Sequence, residues 1–342
     1  MSSMLYECSN LIKINFGNID TSSVQDISYL FYNCYSLISI DLSLFDTSSV
    51  TNMETTFYNC SSLKSIDVTS FNTSKVENMR SLFNGCKQIE LIDLSNFDTS
   101  RVTSIAMMFY GCSNLKTLNF GNINTSSVEN MKGLFYNCQS LTSINLSSFD
   151  TSSLKDMSYL FGYCKKLNSV DLSSFDTSSV KDMRYLFLVC EQLFSVDLSS
   201  FDTLSVENMK GLFYNCTNLI SINLSNFDTS SVKDMSYLFF FCQQLTSVDL
   251  SRFDTSSVKD MQTLFYHCEK LTSVDISNFD TSLVTHMGWM FFHCYKLKTI
   301  IFPEIFNTSN LISMYSMFSH CQSLISINIS NFDVSKVTEL QF

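Results

Sequence analysis

Turn-forming residues and positive charge are both scarce in this sequence. Among 342 residues there are 8 glycines and 1 proline, so no linker composition marks a boundary between domains. Lys and Arg number 21 against 32 Asp and Glu. The resulting net charge of -11 argues against nucleic acid, whose binding proteins carry basic stripes, and against docking on an anionic membrane surface.

Long apolar runs are also missing. No stretch approaches the roughly 20 apolar residues that a transmembrane helix needs. The first residues show no basic segment followed by an apolar one, so no secretory signal is visible in this chain. Catalytic order is equally absent, because no Ser/His/Asp arrangement or phosphate-binding loop occurs. We therefore expect a protein that is not an enzyme and has no cofactor.

What the sequence has instead is a repeat. The 13 cysteines are spaced by 26 residues, except that the last interval is 27, with the extra residue near Ile305 just after Pro303. About twelve units share one apolar skeleton, which in one copy consists of Cys34, Leu37, Ile40, Leu42, Phe45, Val50, Met53, Phe57 and Cys60. One such unit leaves half its apolar faces in water, so neighbouring units must stack to bury them.

Two periodicities within a unit predict its secondary structure. Apolar and polar residues alternate between residues 37 and 43, which predicts a short strand that pairs in parallel with its equivalents. Apolar residues recur at helical spacing between residues 49 and 60, which predicts one short helix, with residues 46–48 as its N-cap or turn. The prediction is an α/β repeat protein, a leucine-rich-repeat-like solenoid with a parallel sheet and one short helix per 26-residue coil.

The domain prediction is a single solenoid over residues 1–342. Its sequence starts and ends in mid-repeat, which is compatible with a piece of a longer protein. Because an uncapped coil exposes apolar surface, we expect a monomer or end-to-end association.

The full phrase of the repeat is more specific than its period. Leu37, Ile40 and Leu42 have the Leu-x-x-Leu-x-Leu spacing of leucine-rich repeats, and residues 45–50 read Phe-Asp-Thr-Ser-Ser-Val. This phrase resembles the repeat of the BspA-like leucine-rich-repeat surface proteins, and the resemblance covers essentially the whole chain. It implies display at the cell surface or outside the cell, and adhesion through a protein or glycan ligand.

A cytoplasmic scaffold for protein-protein interaction is the alternative function. It is motivated by the missing leader and by the cysteines, which are compatible with a reducing compartment. Each cysteine ends an apolar segment, where we expect a reduced, buried thiol. No Cys-x-x-Cys pair of the zinc-binding kind occurs.

Polar side chains form a column on the outward face of the predicted strands. A hydrogen-bond ladder of Asp and Asn explains this column, and a ligand-reading or weak calcium-binding face is the alternative. The candidates for a binding face are Asp171, Asp197, Asn223, Asp249 and Asp275. A second acidic column, which includes Asp46, is explained by turn formation.

Aromatic residues form columns in the predicted helices, and they supply the other binding-face candidates, Tyr237, Phe240, Tyr266, Trp289 and Phe292. Aromatic residues are enriched at interfaces, but packing between coils explains these columns equally well.

Three histidines share one position on successive coils, His267, His293 and His320. They are weak candidates for zinc or copper. A polar surface column is the favoured interpretation, because Asn33 and Asn59 occupy this position elsewhere.

Overall fold

The computed structural model describes residues 1–339. They fall into two compact units, the first spanning Met1–Phe175 and the second beginning at Asp176. In both units the chain winds in successive coils of 26 residues, apart from one coil of 27 in the second unit, and each coil carries a short extended segment and a longer series of turns.

The predicted parallel strands are present, although they are short and form separate pairs. The first unit contains β1 (Lys13–Ile14), β2 (Ser39–Ile40), β3 (Leu91–Asp93) and β4 (Thr117–Asn119), and the second contains β5 (Ser195–Asp197), β6 (Ser221–Asn223), β7 (Ser273–Asp275) and β8 (Thr299–Ile301). The four pairs β1–β2, β3–β4, β5–β6 and β7–β8 are parallel, with partners one repeat apart such as Val196 and Ile222. We call these strands and the equivalent extended segments of the other coils the strand ladder.

The predicted helix is wrong, since no helix occurs in the described residues 1–339. Residues 54–59 instead form overlapping β-turns, in which the N–H of Thr56 donates to the carbonyl of Met53 at 3.3 Å. The intervening N–H groups leave the coil, and that of Phe57 donates to the carbonyl of Leu82 in the next coil at 3.0 Å. We call residues 53–60 and their equivalents in the other coils the turn ladder.

Left-handed backbone conformations explain why the apolar spacing did not produce a helix. Thr55 and Asn59 both have φ of 54°, and the equivalent residues of other coils are also left-handed. A left-handed residue every fourth position interrupts the right-handed spiral before a helical hydrogen bond can form. Val50, Met53 and Phe57 still point into the core, so the turns reproduce the apolar spacing of a helix without its backbone.

The core consists of columns that run from coil to coil. Within the first unit Phe57, Phe83 and Phe109 are fully buried and stack with ring centroids 5.6 and 5.9 Å apart. The cysteines are free, as expected, and most of them are buried. Most thiols donate a hydrogen bond to a carbonyl of the preceding coil, as the Cys86 thiol does to that of Phe57 at 3.1 Å.

Candidate functional sites

The acidic candidates lie on the strand ladder, where they hold the backbone. Asp197 ends β5, and its Oδ1 accepts the N–H of Ser199 at 2.9 Å. Asp171, Asn223, Asp249 and Asp275 make the same contact with the residue two positions on, at 2.9 to 3.2 Å. The hydrogen bonds from Ser199 lower the pKa of the Asp197 carboxyl. These side chains therefore form Asx-turns, and the Asp197 carboxyl, with its lowered pKa, stays ionised at neutral pH.

The predicted Asp/Asn ladder is also found between coils. In the first unit the Nδ2 of Asn119 donates to both carboxylate oxygens of Asp93, at 3.1 and 3.2 Å. An amide beside a carboxylate relieves the repulsion between neighbouring acids in this column. The column thus has a structural role, and its use as a binding face remains a prediction.

The aromatic candidates lie on the turn ladder of the second unit, and the structure brings most of them together. Tyr214, Phe240, Tyr266 and Phe292 stack in series, with centroids 4.3, 4.8 and 5.0 Å apart. We call these four residues the aromatic row. Tyr237 lies beside it, with its ring 5.6 Å from that of Phe240.

Trp289 is more exposed, at 36%, and packs against Tyr315 at 4.9 Å. The strand and turn ladders are different segments of each coil. The two groups of candidates are therefore two candidate surfaces and not one site.

The three histidines lie in a column beside the aromatic row, with their rings tilted or edge-on to one another. The His293 ring lies 4.2 Å from that of His267 and 4.3 Å from that of His320. The Nδ1 of His293 is 2.7 Å from the hydroxyl of Tyr295, and that of His267 is 3.4 Å from Glu269. Partial burial and then the two neighbouring imidazoles lower the pKa of His293.

Metal binding gains no support from this geometry. Across residues 1–339, no three His, Cys, Asp or Glu side chains are grouped so that they could hold a metal ion. All three histidines have left-handed φ, between 58° and 63°, at a position where six other coils carry Asn or Gly. His shares with Asn a preference for this conformation, so the backbone accounts for histidine here without a metal.

Two glycines in the turn ladder were not among the site residues predicted from the sequence. Gly133 and Gly211 occupy the left-handed position that carries Tyr159, Tyr185 or Tyr237 in other coils. Each glycine leaves a notch among neighbouring aromatic rings. The signal that could have revealed them is an identical ten-residue segment, Glu-Asn-Met-Lys-Gly-Leu-Phe-Tyr-Asn-Cys, at 129–138 and 207–216.

One family model matches the chain along its length. Its description is "Mycoplasma protein of unknown function, DUF285", and the matches cover residues 1–118, 107–219, 190–298 and 271–342. The chain belongs to this family. The membership confirms the resemblance to the BspA-like leucine-rich-repeat proteins. The DUF285 description names no reaction.

Several crystal structures of bacterial proteins are similar to this DUF285 chain. A leucine-rich repeat protein from Bacteroides ovatus is 20% identical, with a TM-score of 0.49 over 93% of this chain and 78% of that chain. A leucine rich cell surface protein from Faecalibacterium prausnitzii is 21% identical, with a TM-score of 0.46 over 80% and 75% of the two chains. A leucine-rich repeat protein from Eubacterium ventriosum is 17% identical, with a TM-score of 0.41 over 91% of this chain and 76% of that chain.

No curated protein sequence is significantly similar to the DUF285 chain. Within residues 1–339 there is no helix of the length and apolar character that crossing a membrane requires.

Proposed function

We propose that this chain is a non-enzymatic binding protein, displayed at the cell surface, whose turn ladder contacts a protein or glycan ligand. The observation that carries the proposal is the aromatic row, four part-exposed rings held in register by backbone hydrogen bonds between coils. Under the row, the N–H of Phe241 donates to the carbonyl of Tyr266 at 2.7 Å.

Rigidity is what makes this row suitable for recognition. Binding costs free energy when side chains must be ordered at an interface, about 0.5–1.5 kcal/mol for each rotamer-rich side chain. Rings that already stack on their neighbours have lost that freedom in the unbound protein. Aromatic residues are also the most frequent anchors of protein interfaces.

The aromatic row can be tested against the strand ladder. We expect Phe240→Asn combined with Phe292→Asn to weaken ligand capture at least tenfold in a screen of matrix proteins and glycans. The coil accepts this substitution, because Asn84 occupies the same position in the first unit.

The matched control is Asp249→Asn, which introduces a residue that its own column carries at Asn223. We expect the control to bind as the unchanged protein does. Loss of capture in the control, with the aromatic variant unaffected, would move the binding surface to the strand ladder.

A cytoplasmic scaffold is the second candidate function. It is favoured by the free cysteines, because disulfides form outside the cell, where conditions are oxidising, and are rare in the reducing cytoplasm. Protease treatment of intact cells separates the two functions, with an antibody against the repeats and a cytosolic protein as marker. Loss of the antibody signal while the marker survives supports surface display, and protection until the cells are lysed would support the scaffold.

A further inference from the structure

The two notches, at Gly133 and at Gly211, are lined by the same types of residue, but only one of them is filled by a side chain of this protein. In the first unit Gly133 is surrounded by Tyr136, Tyr159 and Lys132, and in the second unit Gly211 has Tyr214, Tyr237 and Lys210 at the equivalent positions. The distances between the rings are also similar, although the ring planes meet at 63° in the first notch and at 38° in the second. Tyr136 and Tyr159 lie 6.1 Å apart, and Tyr214 and Tyr237 lie 6.0 Å apart.

The lysine takes the same position in both notches. The ammonium of Lys132 lies 5.9 Å from the centre of the Tyr159 ring, and that of Lys210 lies 5.3 Å from the centre of the Tyr237 ring. Attraction between a cation and the face of an aromatic ring holds this wall of each notch in place.

The notch of the second unit is occupied by a residue of this chain. The ring of Tyr185, from the preceding coil, lies directly against Gly211, and a Cβ at Gly211 would collide with it. The same ring packs edge-on against Tyr214, with centroids 6.0 Å apart. Glycine is therefore needed here to admit an aromatic ring.

The notch of the first unit has no ring at the position equivalent to Tyr185, and the ring of Tyr110 borders it, 3.7 Å from where a Cβ at Gly133 would lie. Met107 stands where the second unit has Tyr185, and a Cβ added at Gly133 would lie 3.7 Å from the Met107 side chain, which is an ordinary contact. The result is an open recess of about 290 Å³, lined by Met107, Tyr110, Lys132, Gly133, Tyr136 and Tyr159. This size is close to the lower end of the range for small-molecule sites, about 300 Å³.

We propose that the recess at Gly133 binds an aromatic side chain, the ring of a Tyr, Phe or Trp presented by a protein ligand. The chain's own Tyr185, seated against Gly211 between matching walls, identifies the group that fits. The recess adds Tyr110, which stacks on Tyr136 at 4.5 Å and enlarges the aromatic wall. The proposal rests on the proposed binding function and narrows the ligand to a protein.

The recess can be tested on the full chain with N-acetyl-L-tyrosine amide as the probe. We expect saturable saturation-transfer signals from its ring protons at millimolar concentrations, and none from N-acetyl-L-leucine amide. Met107→Tyr should abolish the signal because the new ring fills the recess as Tyr185 fills the other. Met107→Thr should keep it, since Thr55 and Thr263 occupy the same left-handed position without a ring.

The reverse substitution supplies a gain of binding. Tyr185→Met should open the second notch and raise the number of probe molecules bound per chain from one to two. Far-ultraviolet circular dichroism and the thermal midpoint confirm that each variant is folded. Binding that Met107→Tyr leaves unchanged, or equal binding of the leucine compound or of N-acetylglucosamine, would overturn the proposal.

Failure of this proposal is distinguishable from failure of the binding function. The ligand screen with the Phe240 and Phe292 variant reports on the aromatic row of the second unit, while the probe reports on residues of the first. A captured ligand without probe binding therefore refutes only the recess.

Discussion

The strand ladder and the turn ladder contribute unequally to the contact between coils. The named strands are two or three residues long and form four separate pairs. In the turn ladder, residues 53, 55, 57 and 59 each donate an N–H to the next coil, at 2.6 to 3.0 Å. The turn ladder, whose apolar spacing is that of a helix, thus makes more backbone hydrogen bonds between coils than the named strands do. Apolar spacing identifies which side chains are buried and leaves the backbone conformation open.

The largest expected difference between the ladders is in the free energy of unfolding that is lost when a core side chain of each is truncated. Phe239 is fully buried in the turn ladder and stacks on Phe213 and Phe265 at 5.8 and 5.3 Å. We expect Phe239→Ala to reduce the free energy of unfolding by about 3–5 kcal/mol. Val274→Ala in β7 removes only two methylene equivalents and should cost about 2 kcal/mol. Urea denaturation of both variants measures the difference, and equal losses would contradict the greater weight given to the turn ladder.

The pKa of a buried cysteine in the turn ladder measures how well this ladder excludes water. Burial raises the pKa of Cys112 to about 12. In the unfolded chain a thiol ionises near pH 9, so its stabilising contribution is complete below that pH and is lost as the pH rises towards 12. We expect a loss of about 1.4 kcal/mol per pH unit for this thiol.

Cys112→Ala should therefore lose less stability than the unchanged protein between pH 9 and 11. Denaturant midpoints across this range provide the measurement. If the stability of both proteins falls equally with pH, this thiol is accessible to water.

The left-handed positions distinguish the ladders at the backbone. Asn215 has φ of 59° in the turn ladder, a conformation that costs an ordinary residue about 1–2 kcal/mol. Asn215→Val should lose about that much, and the protein should still fold because Val189 occupies the same position. Ser195→Val places the same side chain in β5, where a β-branched residue is favoured. The thermal midpoint should fall for the first variant alone, and equal changes would rule out backbone conformation as the cause.

The smallest expected effect concerns the histidines. The lowered pKa of His293 means that the unfolded chain takes up a proton first as the pH falls below about 6.5. The stability associated with the neutral imidazole is complete above that pH and declines below it. His293→Asn should reduce the difference between the thermal midpoints at pH 7.5 and pH 5. A larger difference in the variant would reverse the assigned sign.

Sequence reasoning reached the repeat, the parallel strands, the buried columns and the free thiols. These follow from the period and from which positions are apolar. It missed the turns because Val50, Met53 and Phe57 have the spacing of a helix face, although Asn59 and Gly85 at one position signalled a left-handed residue. The aromatic row was within reach because its members share one position. The recess at Gly133 was not, since its openness depends on Met107, one coil earlier.

The single coil of 27 residues shows where this architecture tolerates a change of length. Ile276 donates its N–H to the carbonyl of Ile301, 25 residues on, whereas Thr281 reaches the carbonyl of Asn307, 26 residues on. The additional residue therefore lies between residues 302 and 306, where Ile305 is 83% exposed, and both ladders keep their bonding on either side. A peptide tag or a small domain inserted at this loop should leave the neighbouring coils in register, which makes it a natural attachment point for engineering the chain.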